Sequence, residues 1–320
     1  MPAHNRFENP LPGIPNIENP FFDQIFGDLD PPAEILRIAG DLRQNGFAVI
    51  DFPDPDIMDR AERIKRDLGP QFDRQGWLSG TAPSQRVQDA WRQHPDVRAV
   101  ACNRAVLDLL GALYGRAAFP FQTLNFFTGS QQRAHSDSLH FSSDPERWMC
   151  GVWLALEDID DDNGPLLYYP GSHVWRIFDN ACLGIDVTEL KGFHDRYPDF
   201  ETTWERIADA QAAKPQHFHA RKGQALIWAA NLLHGGDRHR DRNRTRWSQV
   251  THYLFEGCGY YTPLGSDVFR GRIALREPYN ILTGKTVPNS RRPPQPETPP
   301  SGARTARRFL GRAARRLGLR

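Results

Sequence analysis

Cysteine is scarce and scattered in this chain. Four occur in 320 residues, Cys102, Cys150, Cys182 and Cys258, with no Cys-x-x-Cys spacing. That pattern excludes a zinc ribbon and a disulfide framework, and a reducing cytoplasm is the expected location. Long apolar runs are missing too: none approaches the roughly 20 residues a membrane span needs. The N-terminus, Met1-Pro-Ala-His-Asn-Arg, lacks the apolar core of a secretory signal. Net charge is nearly absent at +1, but this conceals an imbalance. From Pro288 to Arg320 nine arginines face one acid, Glu297, so the tail carries a net +8 and the remainder −7.

What is present suffices for a packed core: 39% of residues are hydrophobic and 11% aromatic. Residues 1–30 show no periodicity and read as a wrapping arm. Helices are expected over Pro31–Gly46, with Asp30 as N-cap, over Ile57–Leu68 and over Val97–Tyr114. From Phe119 onward the pattern changes to short strands and turns, the signature of an antiparallel barrel or sandwich. Residues 174–216 form an insertion with helical stretches at Ile185–Leu190 and Thr203–Ala213, placed to act as a lid. The folded body, residues 31–285, is expected to end where the Pro- and Arg-rich tail, 286–320, begins. Within that tail Phe309, Leu310, Ala313 and Leu317 recur at helical spacing among arginines. The tail reads first as a disordered, soluble appendage; as a basic helix over 304–320 it suits an anionic membrane surface, a peripheral attachment, or a partner, with no specific nucleic acid expected.

The stretch carrying the chemistry starts at His135-Ser136-Asp137. On an extended strand residues i and i+2 share a face, so an imidazole and a carboxylate converge on one point. With another histidine they complete a two-histidine, one-carboxylate triad, which leaves iron(II) open to a cosubstrate and dioxygen. A second His-x-Asp, His94-Pro95-Asp96, reads as a loop because proline interrupts a ladder. The acidic run Asp158–Gly164 reads as a solvated turn, since it lacks the ligand spacing of a calcium loop.

His135-x-Asp137, Trp153, Asn163-Gly-Pro-Leu, Pro170-Gly-Ser-His173, His234 and Arg246-x-Ser248 occur in one order. In this set, over about residues 33–265, the chain resembles the phytanoyl-CoA dioxygenase family. The resemblance implies a mainly β fold, a double-stranded β-helix (a cupin-like jelly roll) with flanking helices. It implies Fe(II) held by His135, Asp137 and His234, and 2-oxoglutarate held by Arg246 with Ser248. Trp153 would line the cosubstrate pocket and Asn125 would contact the same cosubstrate. The activity implied is hydroxylation of a small-molecule C–H bond by dioxygen, with release of succinate and CO2. The Asp137 carboxylate takes the place that related halogenases leave for chloride. Arg244 shares strand parity with Arg246 and is the alternative clamp. His140, His173, His239 and His252 compete as ligands: His173 reads as structural, His239 as solvated in a charged loop, His252 as a core residue or one behind the ligands, and His140 as packed or lining the substrate opening. Two other readings are a cupin-type metal enzyme that does not use 2-oxoglutarate and a non-catalytic jelly-roll binding module.

Overall fold

The computed structural model describes residues 7–192, 194–289 and 302–318. Its helices are α1 (Phe22–Leu29), α2 (Ala33–Asn45), α3 (Ile57–Leu68), α4 (Arg74–Ser79), α5 (Pro95–Ala101), α6 (Arg104–Tyr114), α7 (Tyr197–Ala210) and α8 (Gly302–Arg316). Its strands are β1 (Phe47–Asp51), β2 (Arg86–Gln88), β3 (Ala118–Phe126), β4 (Ser142–Asp144), β5 (Met149–Ala155), β6 (Leu166–Tyr168), β7 (Gln216–Phe218), β8 (Gln224–Ala229), β9 (His234–Gly236), β10 (Ser248–Phe255), β11 (Gly259–Tyr261), β12 (Tyr279–Asn280) and β13 (Lys285–Thr286).

Six strands form one antiparallel sheet, in the order β1-β8-β5-β10-β3-β2, and β7-β6-β9 form a smaller one. Side chains alternate across a strand, and that alternation sorts the core. In β5, Cys150, Val152 and Leu154 join apolar residues of α2, α3 and α6. Trp153 and Ala155 instead meet Leu166, Tyr168 and Phe218 of the smaller sheet. The large sheet is therefore a middle layer, with helices outside and the small sheet inside. Every residue of β5 and β10 is buried, which is why these strands show little hydrophobic alternation. This is the expected double-stranded β-helix with flanking helices. Among the described residues the two sheets are not hydrogen-bonded into a closed barrel. Helix α7 of the insertion packs Phe200, Trp204 and Ala208 against Ala134, Leu139, Leu233 and Leu264, and so covers the inner side.

Several local expectations are corrected. Asp30 does not cap α2; it ends α1 in the left-handed conformation, and Pro32 precedes α2. The arm contains α1, with Phe22, Ile25, Phe26 and Leu29 buried. The helix expected over Val97–Tyr114 is two, because Asn103 caps the second: its side chain accepts from the backbone N–H of Ala105 and Val106. Residues 185–190 are turns rather than helix. His94-Pro95-Asp96 is a helix start rather than a loop, with His94 Nδ1 accepting from Val97 N–H.

The tail helix α8 lies on the body. Leu310 and Ala313 are buried, and Phe309 lies over Gly111 of α6, where an added Cβ would meet its ring at 2.5 Å. Arg316 pairs with the buried Asp108. The apolar side needed for a membrane surface is thus occupied by the protein itself. Among the described residues no helix is long and apolar enough to cross a membrane.

Two predictions follow from these contacts. Gly111→Leu displaces Phe309, and limited proteolysis then cleaves within 302–318 faster than in the parent; equal cleavage rates would show that α8 does not depend on this contact. Asp96 is buried between Arg60 (2.6 Å) and Arg63 (2.7 Å). Hydrogen bonding from Arg63, then from Arg60, outweighs burial and holds its carboxyl down at about 2. A depressed carboxyl stabilises the fold above its unfolded pKa of about 3.9 and loses that contribution as pH falls through the folded value. Asp96→Asn accordingly lowers the melting temperature at pH 7, and its deficit closes between about pH 4 and about pH 2. A deficit independent of pH would contradict this.

Candidate metal and cosubstrate site

A cavity of about 460 Å³ lies between the two sheets, a size suited to small molecules. His135, Asp137 and His234 meet in its wall, and one donor atom from each lies within 4.8 Å of the others. The backbones of His135 and His234 exchange both hydrogen bonds, at 2.8 and 3.0 Å. Such a pair sits directly opposite in an antiparallel bridge, so both side chains take the same face. Their ring centroids are 4.5 Å apart.

Asp137 is not on a strand as expected. It opens a 3-10 turn, Asp137–Leu139, with Ser136 Oγ accepting from Ser138 N–H. The turn still brings the carboxylate to the histidines: Asp137 Oδ1 is 3.7 Å from His135 Nε2, and Oδ2 is 3.7 Å from His234 Nε2. Backbone carbonyls fix both tautomers. The Arg133 carbonyl accepts from His135 Nδ1 at 3.0 Å, and the Leu232 carbonyl accepts from His234 Nδ1 at 2.9 Å. A carbonyl only accepts, so each Nδ1 carries the proton and each Nε2 lone pair faces the cluster.

The electrostatics suit a cation. Burial, followed by the neighbouring His234, pushes the His135 pKa down to about 3, so the ring is neutral at pH 7. Burial would raise the Asp137 carboxyl, but His234, a hydrogen bond from His252, and His135 together hold it well below the usual range. Two neutral imidazoles and one carboxylate are the donor set of an iron(II) facial triad.

Two residues behind the cluster were not foreseen as a pair. Trp228 Nε1 donates to Asp137 Oδ2 at 2.9 Å, and His252 Nε2 lies 3.6 Å from the same oxygen. Gln122 Oε1 in turn lies 2.9 Å from His252 Nδ1. Trp228 reaches Asp137 because Gly151, its neighbour on β5, has no side chain: a Cβ there would fall 2.1 Å from the indole.

Arg246 enters the same cavity, only 2% exposed. Its Nε donates to the Gly164 carbonyl at 2.9 Å and its Nη1 to Ser248 Oγ at 2.8 Å. Its Cζ is 5.2 Å from the Trp153 ring centroid. Burial lowers its pKa to about 10, with Glu157 offsetting part of that, so it is charged at neutral pH. Among the described residues no carboxylate is within ion-pair distance of it. The Asn163-Gly164 turn builds this contact. Asn163 ties Asp158, Asp160 and Thr245 together, and Gly164 takes φ +78°, which glycine adopts without penalty. Arg244 points elsewhere and pairs with Asp160 at 2.7 Å.

The other expected residues divide. Trp153 lines the cavity with its Nε1 buried and without a hydrogen-bond partner among the described residues. Asn125 does not reach it: Gln122, Leu124 and Phe126 of β3 face the cavity, so parity turns Asn125 outward, where its amide donates to Gln249 Oε1 at 3.2 Å. His173 is buried, with the Arg43 carbonyl 3.0 Å from Nε2. His239, expected in solvent, is buried instead. Its Nδ1 accepts from Gly129 N–H, and its Nε2 lies 3.0 Å from the Asp241 carbonyl and 3.2 Å from that of Arg244. It braces the loop that delivers Arg246. His140 lines the cavity, with its pKa lowered to about 4 by burial.

The family model for phytanoyl-CoA dioxygenase (PhyH) matches residues 42–246. Among solved structures, the chain is similar to the epimerase SnoN from nogalamycin biosynthesis in complex with Fe3+, alpha ketoglutarate and nogalamycin RO. The identity is 19%, coverage is 82% of this chain and 98% of that one, and the TM-score is 0.54. The carbocyclase SnoK from nogalamycin biosynthesis gives 15%, 82%, 95% and 0.54. EctD from S. alaskensis with 2-oxoglutarate and 5-hydroxyectoine gives 17%, 79%, 84% and 0.54. Among curated protein sequences none matches.

Trp228→Phe keeps the ring volume but removes the donor to Asp137. Losing such a partner typically weakens metal binding about 10- to 100-fold. Competitive titration of iron(II) against a chelator measures this, and an unchanged affinity would mean that Asp137 needs no orienting donor.

Proposed function

Because the chain belongs to the phytanoyl-CoA dioxygenase family, whose model spans residues 42–246, we propose that it is an iron(II)- and 2-oxoglutarate-dependent oxygenase that hydroxylates a C–H bond of a small molecule. In this reading His135, Asp137 and His234 hold the metal, and Arg246 with Ser248 holds the far carboxylate of 2-oxoglutarate. The observation that carries it is Arg246: a buried guanidinium without a carboxylate partner among the described residues, opening into the cavity that holds the triad. A buried charge is costly unless paired, and a planar guanidinium takes a carboxylate through two parallel hydrogen bonds. This clamp argues against a cupin enzyme that uses no 2-oxoglutarate, and the triad argues against a bare binding module.

Bound iron(II) with 2-oxoglutarate supplies oxidation by dioxygen, with succinate and CO2 as products. The chain supplies position. The two histidines present their Nε2 atoms, and Trp228 and His252 steady the carboxylate between them. Ser248 and the Gly164 carbonyl aim the guanidinium, while Trp153, Leu166 and Val250 wall its part of the cavity with apolar surface. Asp137 would hold the metal as the third protein donor, where a halide would otherwise fit, and that favours hydroxylation. Four unpaired cysteines are consistent with a reducing, cytoplasmic setting.

Reconstituted without oxygen and then given iron(II), 2-oxoglutarate and air, the protein forms succinate slowly even without its substrate, and His135→Ala abolishes this. Arg246→Ala raises the apparent KM for 2-oxoglutarate about 30-fold or more, since breaking a buried hydrogen-bonded charge pair costs about 2–5 kcal/mol. Arg244→Ala leaves that KM unchanged. A protein that binds neither iron nor 2-oxoglutarate would overturn the assignment.

A further inference from the structure

The cavity holds a second guanidinium that the cosubstrate does not need. Arg276 is half-buried in its wall. Its Nη1 donates to Thr262 Oγ1 at 3.0 Å, and its Cζ stands 4.8 Å from the centroid of the Phe141 ring. Those contacts fix the plane of the fork. Its Nε and Nη2 have no hydrogen-bond partner among the described residues, and no carboxylate there is within ion-pair distance. Burial lowers its pKa with no opposing charge, which fits a cation awaiting a partner.

Position separates this group from Arg246. Arg246 precedes β10, whereas the Arg276 backbone bonds to Tyr260 on β11, beyond the far end of β10. His252, beside the triad, lies between them along the strand. At about 3.3 Å per residue, Ser248 and His252 alone are separated by roughly 13 Å. The two arginines therefore belong to opposite ends of β10, with His252 between them along the strand. Around Arg276 the wall is aromatic: His140 lies 5.0 Å from Tyr197 and 6.1 Å from Phe141, centroid to centroid. Arg86 on β2 lines the cavity as well.

We propose that the substrate carries an anionic oxyacid group, a carboxylate or a phosphate monoester, which docks on the Nε–Nη2 edge of Arg276. His140, Phe141 and Tyr197 then pack against its carbon body. The anchor holds the molecule on the side of the triad away from 2-oxoglutarate, so one cavity takes two anions without exchanging them. The identity of the reaction that follows rests on the oxygenase reading; the anchor itself is a property of the cavity.

The test uses the full-length protein loaded with iron(II) and saturating 2-oxoglutarate, without oxygen, so that Arg246 is already filled. Matched pairs are titrated by calorimetry: aryl and alkyl carboxylates against their amides, and phosphate monoesters against their parent alcohols. Charge-assisted hydrogen bonds contribute about 1.5–3 kcal/mol, so the preferred acid binds about tenfold or more tighter than its neutral partner. Which acid series is preferred distinguishes carboxylate from phosphate. Arg276→Gln abolishes the preference, Arg276→Lys keeps part of it, and neither changes 2-oxoglutarate affinity. Absence of an acid preference in the parent protein, or its survival in Arg276→Gln, overturns the proposal. Failure of the oxygenase reading registers separately, as absence of 2-oxoglutarate binding to the parent protein.

Discussion

The site depends on two backbone hydrogen bonds, those between His135 and His234. They tie a loop after β3 to the first residue of β9 and set both imidazoles on one face at a fixed separation. No side-chain contact would define that separation as tightly, because backbone pairing leaves little freedom in spacing or direction. The remaining parts are adjusted to this pair. Asp137 comes to it through a short turn, Trp228 reaches through the gap at Gly151, and the insertion helix α7 packs against Ala134 and Leu233 next to the two histidines.

Charge is buried here with unusual restraint. Asp137 and Arg246 are both nearly inaccessible, yet neither neutralises the other. Asp137 is steadied by an indole N–H and by histidines, and Arg246 by a carbonyl and a hydroxyl. Neutral partners satisfy hydrogen bonds and leave the net charge in place, so the cavity keeps a negative centre and a positive end. Desolvation strengthens both fields. Such a cavity is matched to a cation and to an anion of fixed spacing, and poorly matched to a neutral apolar guest. The helices on the outer face and α8 against α6 have no part in this polarity; they bury the other side of the large sheet and hold it rigid.

Sequence and structure differ at several residues for one physical cause. His239 sits among arginines and aspartates, a setting that predicts a solvated ring only if neighbours in sequence are also neighbours in space. Besides the Asp241 and Arg244 carbonyls of its own loop, it meets Trp77 and the Gly129 backbone, brought in from other parts of the chain. Asn125 was assigned to the cosubstrate from its position on the right strand, but strand parity had to be anchored to a face before it could be used. The register of β3 against β10 shifts at Phe121, which has no partner between Gln122↔His252 and Pro120↔Tyr253, and shows how such parity changes along a strand. The α8 helix was correctly read as amphipathic, but its pattern could not say whether water, lipid or α6 would meet the apolar side.

The sequence by itself carried the ordered set His135-x-Asp137, His234 and Arg246-x-Ser248, the jelly-roll class and most helix positions. These are encoded in short-range features: the order of His-x-Asp, histidine and Arg-x-Ser, apolar spacing, and capping residues. Tertiary structure set Arg246 in the cavity wall and Arg244 on Asp160, turned Asn125 away, and brought Trp228, His252, Gln122 and Arg276 to the cavity. Each of those outcomes depends on which face of a strand meets which cavity and on what lies across a sheet or a loop. Such relations join residues far apart in the chain, and only packing brings them within a few ångströms.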